Sequence, residues 1–401
     1  MNPAVESRTR MAIACGGTGG HLFPGLAVAE QLEQRGCAVT LLISPKDIDQ
    51  QAVRAAKDME IVTLPAVGLT RKQVVSFACG FVRAYRTAQR TFQACPPQAV
   101  LAMGGFTSAP PLMVAKRLGA RTFLHESNSI PGRANRWLSR VVDQGFVGFP
   151  SAAGRLSHAP VSVTGTPVRR QFQPRDAGSC RAALGLDPAR PVVLVMGGSQ
   201  GARGLNQLVQ RSLPLLSRVA PHWQWLHLAG AAGAEEVGET YASLQLSAAV
   251  HGFFGDMELA LGAATAAVSR AGASSLAELA AVRVPAVLVP YPAATDNHQF
   301  HNARAFAETG AARLLEQRGA SAEDLARLLV ELMQDSDARA RAQAALGQWH
   351  APQAAENIAE AMVQATHLPA QPAADATPDC AAKSRLGGFL PKVARSARNL
   401  F

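Results

Sequence analysis

A glycine-rich segment at residues 16–20 is followed directly by His21. It comes after an apolar run at residues 11–15 and before an amphipathic stretch, which together predict a strand, a tight turn and a helix. Glycines in such a turn let backbone N–H groups approach a ligand closely, and the start of the helix favours negative charge. His21 is placed to act as a general base there, or else to cap the helix.

The same pattern recurs far downstream. An apolar run at residues 192–196 leads into the glycine-rich segment 197–201, which contains Ser199, and then into a second amphipathic stretch. The second turn offers backbone donors and the Ser199 hydroxyl to a ligand, or serves only as a tight structural turn. Two such openings predict two doubly wound α/β halves with parallel sheets.

A third segment, residues 269–278, ends a predicted strand and begins a helix with small residues that permit close approach. Glu278 on that helix can accept two sugar hydroxyls, or it is an exposed helix residue. Further on, Gln299 and Asn302 share one face of a helix start and suit sugar hydroxyls as well. The neighbouring His298 and His301 lack the spacing of a metal site, so no metal is expected.

The elements that must position these residues divide the chain into two parts. Predicted strands and helices alternate on both sides of residues 150–190, where prolines are frequent. We therefore expect a first domain at 1–165, a second at 166–366 closed by a helix near 338–364, and a disordered basic tail at 367–401. With 401 residues and 48% hydrophobic residues, the chain can bury two cores.

Composition narrows the class of protein further. The six cysteines show no CxxC pair, which favours a reduced, cytosolic chain without structural zinc. No apolar run reaches about 18 residues, so no transmembrane helix is expected. The first ten residues do not resemble a signal peptide, so any membrane contact is expected to be peripheral and from the cytosolic side.

Positive charge is concentrated in the first part of the chain. Residues 1–165 carry 18 Lys or Arg against 9 Asp or Glu, whereas residues 166–370 carry 16 against 18. Between Glu60 and Glu126 there are eight basic residues and no acidic one. Such asymmetry suits nucleic acid, anionic lipid or a polyphosphate, although a solvated basic surface is the simpler alternative.

One helix in this basic region is amphipathic. Apolar residues with 4-3-4-3-4 spacing predict one helical face, formed by Val74, Ala78, Phe81, Tyr85, Ala88 and Phe92. A face of this kind usually packs on a core. The basic residues beside it are predicted to contact an anionic membrane, namely Arg71, Lys72, Arg83 and Arg86.

Seven motifs in order resemble the MurG family, the transferases that convert lipid I to lipid II. They are GGTGGHLFPGLAVAEQL at 16–32, GGFTSAPPLMVAKRLG at 104–119, LHESNSIPGRANRWL at 124–138, TGTPVR at 164–169, MGGSQGARGLN at 196–206, SRAGASSLAELA at 269–280 and TDNHQFHNA at 295–303. The resemblance runs from about residue 11 to 365. Ser127 and Ser129 depart from the Gln and Gly of some members, which leaves the detail of that loop open.

The resemblance implies a GT-B fold, in which two Rossmann-like domains face a central cleft. It assigns His21 as the general base, Glu278 as the ribose ligand and His298 as a possible contact of the donor sugar. The positions that match the donor site are Thr18, Gly19, Gly20, Asn128, Arg169, Ser199, the backbone of Phe254, Ala273, Ser274, Ser275, Leu276, Ala277, Glu278 and Gln299.

The implied reaction is an inverting transfer of N-acetylglucosamine from UDP-N-acetylglucosamine (UDP-GlcNAc) to the 4-hydroxyl of the muramoyl sugar of lipid I, without a cofactor. The implied partners are these two substrates, an anionic phospholipid surface on the cytoplasmic face of the membrane, and other proteins of cell-wall synthesis. Three alternatives stay open: a related transferase with another lipid acceptor, such as a diacylglycerol galactosyltransferase; a non-catalytic UDP-sugar-binding protein; and a nucleic-acid binder. The last leaves all seven motifs without a use.

Overall fold

The structure of the chain is a computed structural model that describes residues 8–16, 19–45, 59–65, 74–156, 159–198 and 201–367. Five predictions fall outside these residues: the donor contacts of Thr18 and Ser199, the membrane contacts of Arg71 and Lys72, and the tail beyond His367. In the described part of the chain, no helix is both long and apolar enough to span a bilayer.

The N-terminal domain is built on a seven-stranded parallel sheet with the order β3-β2-β1-β4-β5-β6-β7. Its elements are β1 (Arg10–Ala14), α1 (Gly19–Gln34), β2 (Ala38–Ile43), β3 (Glu60–Thr63), α2 (Val74–Ala94), β4 (Ala99–Ala102), α3 (Ala109–Arg117), β5 (Arg121–Glu126), α4 (Arg133–Leu138), β6 (Gln144–Val147), α5 (Pro150–Ala153) and β7 (Val161–Val163). The central strands β1 and β4 are short, and all their residues except Arg10 are buried, as expected of strands covered by helices on both faces.

The C-terminal domain has a six-stranded parallel sheet with the order β10-β9-β8-β11-β12-β13. Its elements are α6 (Ala177–Ala183), β8 (Val192–Met196), α7 (Arg203–Val219), β9 (Gln224–Leu228), α8 (Ala234–Ser243), β10 (Ser247–His251), α9 (Met257–Ala263), β11 (Ala266–Ser269), α10 (Ala273–Val282), β12 (Ala286–Leu288), α11 (His298–Glu308), β13 (Ala312–Leu314), α12 (Ala322–Gln334) and α13 (Ser336–Trp349). A last helix, α14 (Ala354–Thr366), follows. The two sheets confirm the predicted pair of doubly wound halves.

Strand order reverses at the same place in each sheet. β1 lies between β2 and β4, and β8 lies between β9 and β11, so each is the strand from which the chain winds outward in both directions. Ligands of such sheets bind beyond the carboxyl ends of the strands at this switch point. The two glycine-rich segments follow β1 and β8 directly, and both therefore lie at the edges where a ligand is expected.

The chain returns to its first domain at its end. Where the sequence predicts one helix over 338–364 in the second domain, the structure has two, α13 and α14. The buried residues of α14, among them Ile358 and Met362, pack in the core of the N-terminal sheet beside Leu22 of α1. The expected second domain, residues 166–366, includes α14, and nothing in the sequence indicates that this helix packs on the first domain. An apolar helix face does not say which sheet it covers.

The chain passes between the domains twice, once after β7 and once between α13 and α14. These two segments touch at Gly165. Its φ is +82°, and a Cβ built there would lie 2.2 Å from the Cβ of Ala351, in the segment between α13 and α14. Any side chain larger than hydrogen would therefore push the two segments apart. Only glycine satisfies both the left-handed backbone and the contact.

We expect Gly165→Ala to lower the free energy of unfolding by about 2–5 kcal/mol, since backbone strain and overpacking add. The matched control is Gly119→Ala, because Gly119 has nearly the same φ, +80°, but open space at its Cβ position. The control is expected to lose only about 1–2 kcal/mol. Urea unfolding of both variants measures the difference, and equal losses would show that the contact with Ala351 has no energetic weight.

A candidate active site between the domains

The first turns of two helices meet across the cleft. α1 begins at Gly19 in the N-terminal domain and α10 begins at Ala273 in the C-terminal domain. The hydroxyl of Ser274 donates a hydrogen bond to the carbonyl of Gly20 at 3.0 Å. Each helix start presents backbone N–H groups and the positive end of its dipole, so an anion is favoured near this point.

His21 lies in the first turn of α1 and is half-buried. Its ring packs on the backbone of Gly104 and Gly105, where built Cβ atoms would lie 3.1 Å from Nε2 and 3.3 Å from Cε1. Both glycines have positive φ, +114° and +77°. Because these two glycines have no side chains, the bend after β4 forms a flat surface against which the imidazole packs at the edge of the cleft.

A second histidine near His21 is fully buried rather than half-buried. His125 is fully buried, with Nε2 3.1 Å from the carbonyl of Gly165 and Nδ1 3.2 Å from the hydroxyl of Ser127. Burial lowers the pKa of His125 to about 4; the hydrogen bond to Gly165 opposes this, and the nearby charge of His21 adds to it. His125 is therefore neutral near pH 7, and Nε2 carries its proton because the Gly165 carbonyl can only accept.

Glu278 lies one turn after Ser274 on α10, on the same helix face. Its side chain is half-buried and accepts no hydrogen bond from any residue that the structure describes. Desolvation raises the pKa of Glu278 to about 7; the positive charge of Arg169 opposes the rise, and Glu258 adds to it. The carboxyl oxygens of Glu278 are thus available to accept hydrogen bonds from a ligand.

Arg169 lies in the segment that joins the domains. Its guanidinium lies over the rings of Phe23 and Phe172, at 4.9 and 5.3 Å from their centroids. Its buried Nε has no hydrogen-bond partner among the described residues. The two rings hold the cation beside Glu278, where it can also face an anion in the cleft.

The loop after β5 is organised by a carboxylate that the sequence analysis did not single out. Glu126 is buried and accepts from the backbone N–H groups of Asn128 and Gly132, at 2.8 and 2.9 Å, and from the side chains of Asn128 and Asn135, at 3.0 and 2.8 Å. Burial raises the pKa of Glu126, whereas these four donors lower it. The only signal in the sequence was the position of Glu126 in the 124–138 motif.

Asn302 joins the two domains. It is fully buried on α11, and its Oδ1 accepts from the backbone N–H and the hydroxyl of Ser129, each at 2.9 Å. Its Nδ2 donates to Asn128 Oδ1 at 3.0 Å and to the carbonyl of Ala271 at 3.2 Å. The prediction that Asn302 presents its amide to sugar hydroxyls is wrong, because the amide is buried and engaged: three of its bonds reach Ser129 and Asn128 of the other domain, and the fourth goes to Ala271 of its own.

The turn before α11 makes a second cross-domain contact. Asp296 and Asn297 both have left-handed backbones, with φ of 50° and 52°. The Asp296 carboxylate pairs with Arg136 of α4 at 3.0 Å. Within this turn, His298 Nδ1 lies 2.8 Å from the carbonyl of Thr295. The ion pair to the other domain thus stabilises a turn that contains two consecutive left-handed residues.

The remaining predicted donor contacts lie along the C-terminal wall. Gln299 Oε1 accepts the N–H of Tyr291 at 2.9 Å, which leaves its amide nitrogen for a ligand. Phe254 packs against the C-terminal core, and its backbone contact with the donor stays a prediction. Of the residues in the α10 turn, Ala273 and Leu276 are buried, whereas Ser274, Ser275 and Ala277 are half-buried. Among the described residues, no group of three His, Cys, Asp or Glu side chains has the arrangement of a metal site.

The fold and this cleft define a two-domain glycosyltransferase. Residues 11–147 match the N-terminal domain of glycosyltransferase family 28, and residues 192–361 match its C-terminal domain. The crystal structure of the calicheamicin glycosyltransferase CalG4 is similar in fold, with a TM-score of 0.63 at 16% identity, covering 90% of this chain and all of that one. The predicted GT-B architecture is therefore confirmed.

Relatives at higher identity define the family within this class. The chain is 36% identical over 360 residues to the UDP-N-acetylglucosamine–N-acetylmuramyl-(pentapeptide) pyrophosphoryl-undecaprenol N-acetylglucosamine transferase of Anaeromyxobacter sp. (strain K), covering 88% of this chain and 92% of the relative. It is 39% identical over 365 residues to the enzyme of that name from Xanthomonas euvesicatoria pv. vesicatoria (strain 85-10), covering 90% and 82%. MurG from Acinetobacter baumannii has a TM-score of 0.70 at 28% identity, covering 89% and 100%. The chain belongs to the MurG family of N-acetylglucosamine transferases.

Glu278 and Glu126 lead to opposite predictions for the same substitution. Because folding raises the pKa of Glu278 from 4.5 to about 7, its ionisation costs stability as pH rises through this window. We expect Glu278→Gln to raise the free energy of unfolding by about 1–3 kcal/mol at pH 8, a gain that shrinks toward zero as pH falls to 4.5.

Glu126→Gln is the control, because whichever carboxylate oxygen becomes an NH2 group would then face two existing N–H donors. It is expected to lose about 1–3 kcal/mol at pH 8. Denaturant unfolding at several pH values measures both variants. A loss of stability in Glu278→Gln at pH 8 would mean that the Glu278 carboxylate has a partner in the folded protein.

Proposed function

We propose that this chain transfers N-acetylglucosamine from UDP-GlcNAc to the 4-hydroxyl of the muramoyl sugar of undecaprenyl-pyrophosphoryl-MurNAc-pentapeptide, lipid I, and so forms lipid II for peptidoglycan synthesis. Membership of the family supports the choice of substrates. The observation that carries the proposal for this chain is the contact between Gly20 and Ser274, which brings His21 and Glu278 to the same cleft from separate domains.

The donor nucleotide is proposed to lie against the C-terminal wall. Its diphosphate is favoured where the starts of α1 and α10 meet, and Arg169 adds a cation there. Among the residues that the structure describes, none donates to Glu278 or accepts from the amide nitrogen of Gln299, so the first can bind ribose hydroxyls and the second can donate a hydrogen bond to the donor nucleotide. In this arrangement, ribose hydroxyls supply Glu278 with the donors that it lacks in the protein.

The reaction proposed for this geometry is a single displacement. The acceptor 4-hydroxyl attacks the anomeric carbon from the face opposite UDP, which inverts the configuration. His21 takes the hydroxyl proton, while negative charge develops on the leaving diphosphate beside the helix starts and Arg169. The expectation that no metal or other cofactor is needed stays a prediction, and activity in the presence of a chelator tests it.

We expect His21→Ala to lower kcat by about 10²–10⁴-fold with little change in affinity for UDP-GlcNAc, because only proton removal is lost. Glu278→Ala is the matched variant from the opposite wall and should instead weaken UDP-GlcNAc binding about 5- to 100-fold, since the ribose loses its acceptor. Transfer assays and calorimetry separate the two effects. Wild-type kcat in His21→Ala would remove His21 from the mechanism, and wild-type affinity in Glu278→Ala would remove Glu278 from the donor site.

An acceptor with a polyprenyl chain stays in the bilayer, so the enzyme must reach the membrane surface. We propose that the N-terminal domain docks on anionic phospholipid at the cytoplasmic face. On α2, Ala88 and Phe92 face the core, but Val75 and Val82 are 77% and 46% exposed, and Arg83 and Arg86 are exposed beside them. Apolar side chains flanked by cations suit an anionic bilayer surface.

We expect Arg83→Glu/Arg86→Glu to abolish most co-sedimentation with anionic liposomes at low salt, because each basic residue near the surface contributes about 1 kcal/mol. The matched control is Arg211→Glu/Arg218→Glu, an equal change of charge at exposed positions on α7 of the C-terminal domain. Adding Arg71→Glu and Lys72→Glu should deepen the loss, and truncation after residue 366 tests the tail. Equal losses from both pairs would mean that net charge, rather than this face, governs binding.

A further inference from the structure

Pro24 lies inside α1, at its sixth residue. Proline has no backbone N–H, so residue 24 cannot donate to the carbonyl four residues earlier, which belongs to Gly20. The pyrrolidine ring also crowds that carbonyl and turns it away from the helix axis. Within α1, the Gly20 carbonyl is therefore left without its regular helical donor.

A side chain from the other domain supplies the missing donor. The hydroxyl of Ser274, in the first turn of α10, donates to the Gly20 carbonyl at 3.0 Å. Gly20 immediately precedes His21, and Ser274 lies one turn before Glu278 on the same face. The bond therefore joins the two short segments that carry the proposed base and the proposed ribose ligand.

We propose that Pro24 and Ser274 are positioning residues: the proline releases the Gly20 carbonyl, and the serine hydroxyl closes the cleft onto it. The inference rests on the proposed function and deepens it. Because residue 24 cannot donate to the Gly20 carbonyl, this carbonyl depends for that bond on Ser274 in the closed cleft or on water in the open one. Closing the cleft onto Ser274 therefore gains the net value of one hydrogen bond. With an N–H at residue 24, that carbonyl would already be satisfied, and closure would gain much less.

The contact is also suited to a step that repeats in every turnover. It lies at an exposed edge of the cleft, so water can replace it when the domains open. The buried bonds of Asn302 cannot be exchanged in this way. A weak, reversible bond next to His21 and Glu278 can align these two side chains, while the bonds of Asn302 hold the domains together at α11.

The experiment is a double-mutant cycle of Pro24→Ala and Ser274→Ala, with Pro214→Ala as the matched control. Pro214 is also internal to a helix, α7, but lies about 17 Å along it from the end at the cleft. Replacing either proline should raise the melting temperature, because proline is the least favourable residue in a helix interior.

The predicted outcome is that stability and activity change in opposite directions at Pro24 alone. Pro24→Ala should lower kcat/KM about 3- to 10-fold despite its higher melting temperature, whereas Pro214→Ala should keep wild-type kcat/KM. Ser274→Ala should lower kcat/KM by a similar factor in the wild-type background and by less than twofold in the Pro24→Ala background. Wild-type kcat/KM in Pro24→Ala, or effects of the two changes that multiply independently, would overturn the inference.

Melting temperatures of the same four proteins test the contact without any assumption about the reaction. Ser274→Ala should lower the melting temperature in the wild-type background and leave it unchanged in the Pro24→Ala background. If the wild-type protein transfers no N-acetylglucosamine to lipid I, the proposed function fails, while coupled melting temperatures still support the contact. Uncoupled melting temperatures overturn the inference whatever the activity.

Discussion

The contact between the first turns of α1 and α10 is the constraint on which the rest of the cleft depends. α1 follows β1 and α10 follows β11, each a central strand of its sheet, so the contact joins the carboxyl edges of the two sheets. Because the first N–H groups of both helices have no partner within their own helix, bringing the two positive helix ends together is unfavourable without an anion. The hydrogen bond from Ser274 to Gly20 is made at this point, and the buried bonds of Asn302 hold the domains together from α11.

Several groups around the cleft cost stability where they stand. Glu278 is desolvated without a hydrogen-bond donor among the described residues, and Asp296 and Asn297 have left-handed backbones. Elsewhere the same chemistry is compensated, as in Glu126, whose two oxygens accept four N–H groups. Uncompensated polar groups next to a fully satisfied one are typical of a site arranged for a ligand rather than for stability.

The sequence predicted those features of the fold that are formed by residues close together in the chain. Apolar runs followed by glycines located β1, β8 and the turns after them, and two such openings were enough to predict two doubly wound halves. The spacing in α2 also indicated a core face. Ala88 and Phe92 form it, Phe81 and Tyr85 are half-buried, and the prediction is wrong for Ala78, which is exposed. These predictions succeeded because strand, turn and helix are adjacent in the chain and each leaves its own signature.

What the sequence could not predict depends on partners distant in the chain. Asn302 meets Ser129 across 173 positions, and nothing in its neighbourhood says that its amide is buried. Glu126 gathers donors from a loop whose path has no periodicity. The return of α14 to the first domain likewise depends on which apolar surface stays uncovered after both sheets have formed. In each case, pairing is decided by tertiary geometry, which a linear pattern does not encode.

The central claim is tested most directly by incubating the wild-type protein with UDP-GlcNAc labelled in the sugar and a lipid I analogue, and then determining the linkage of the product by NMR. We expect a labelled disaccharide joined through the muramoyl 4-hydroxyl in the β configuration, with much slower turnover of UDP-galactose. Failure to label the acceptor, retention of the donor's α configuration, or equal turnover of UDP-galactose would contradict it.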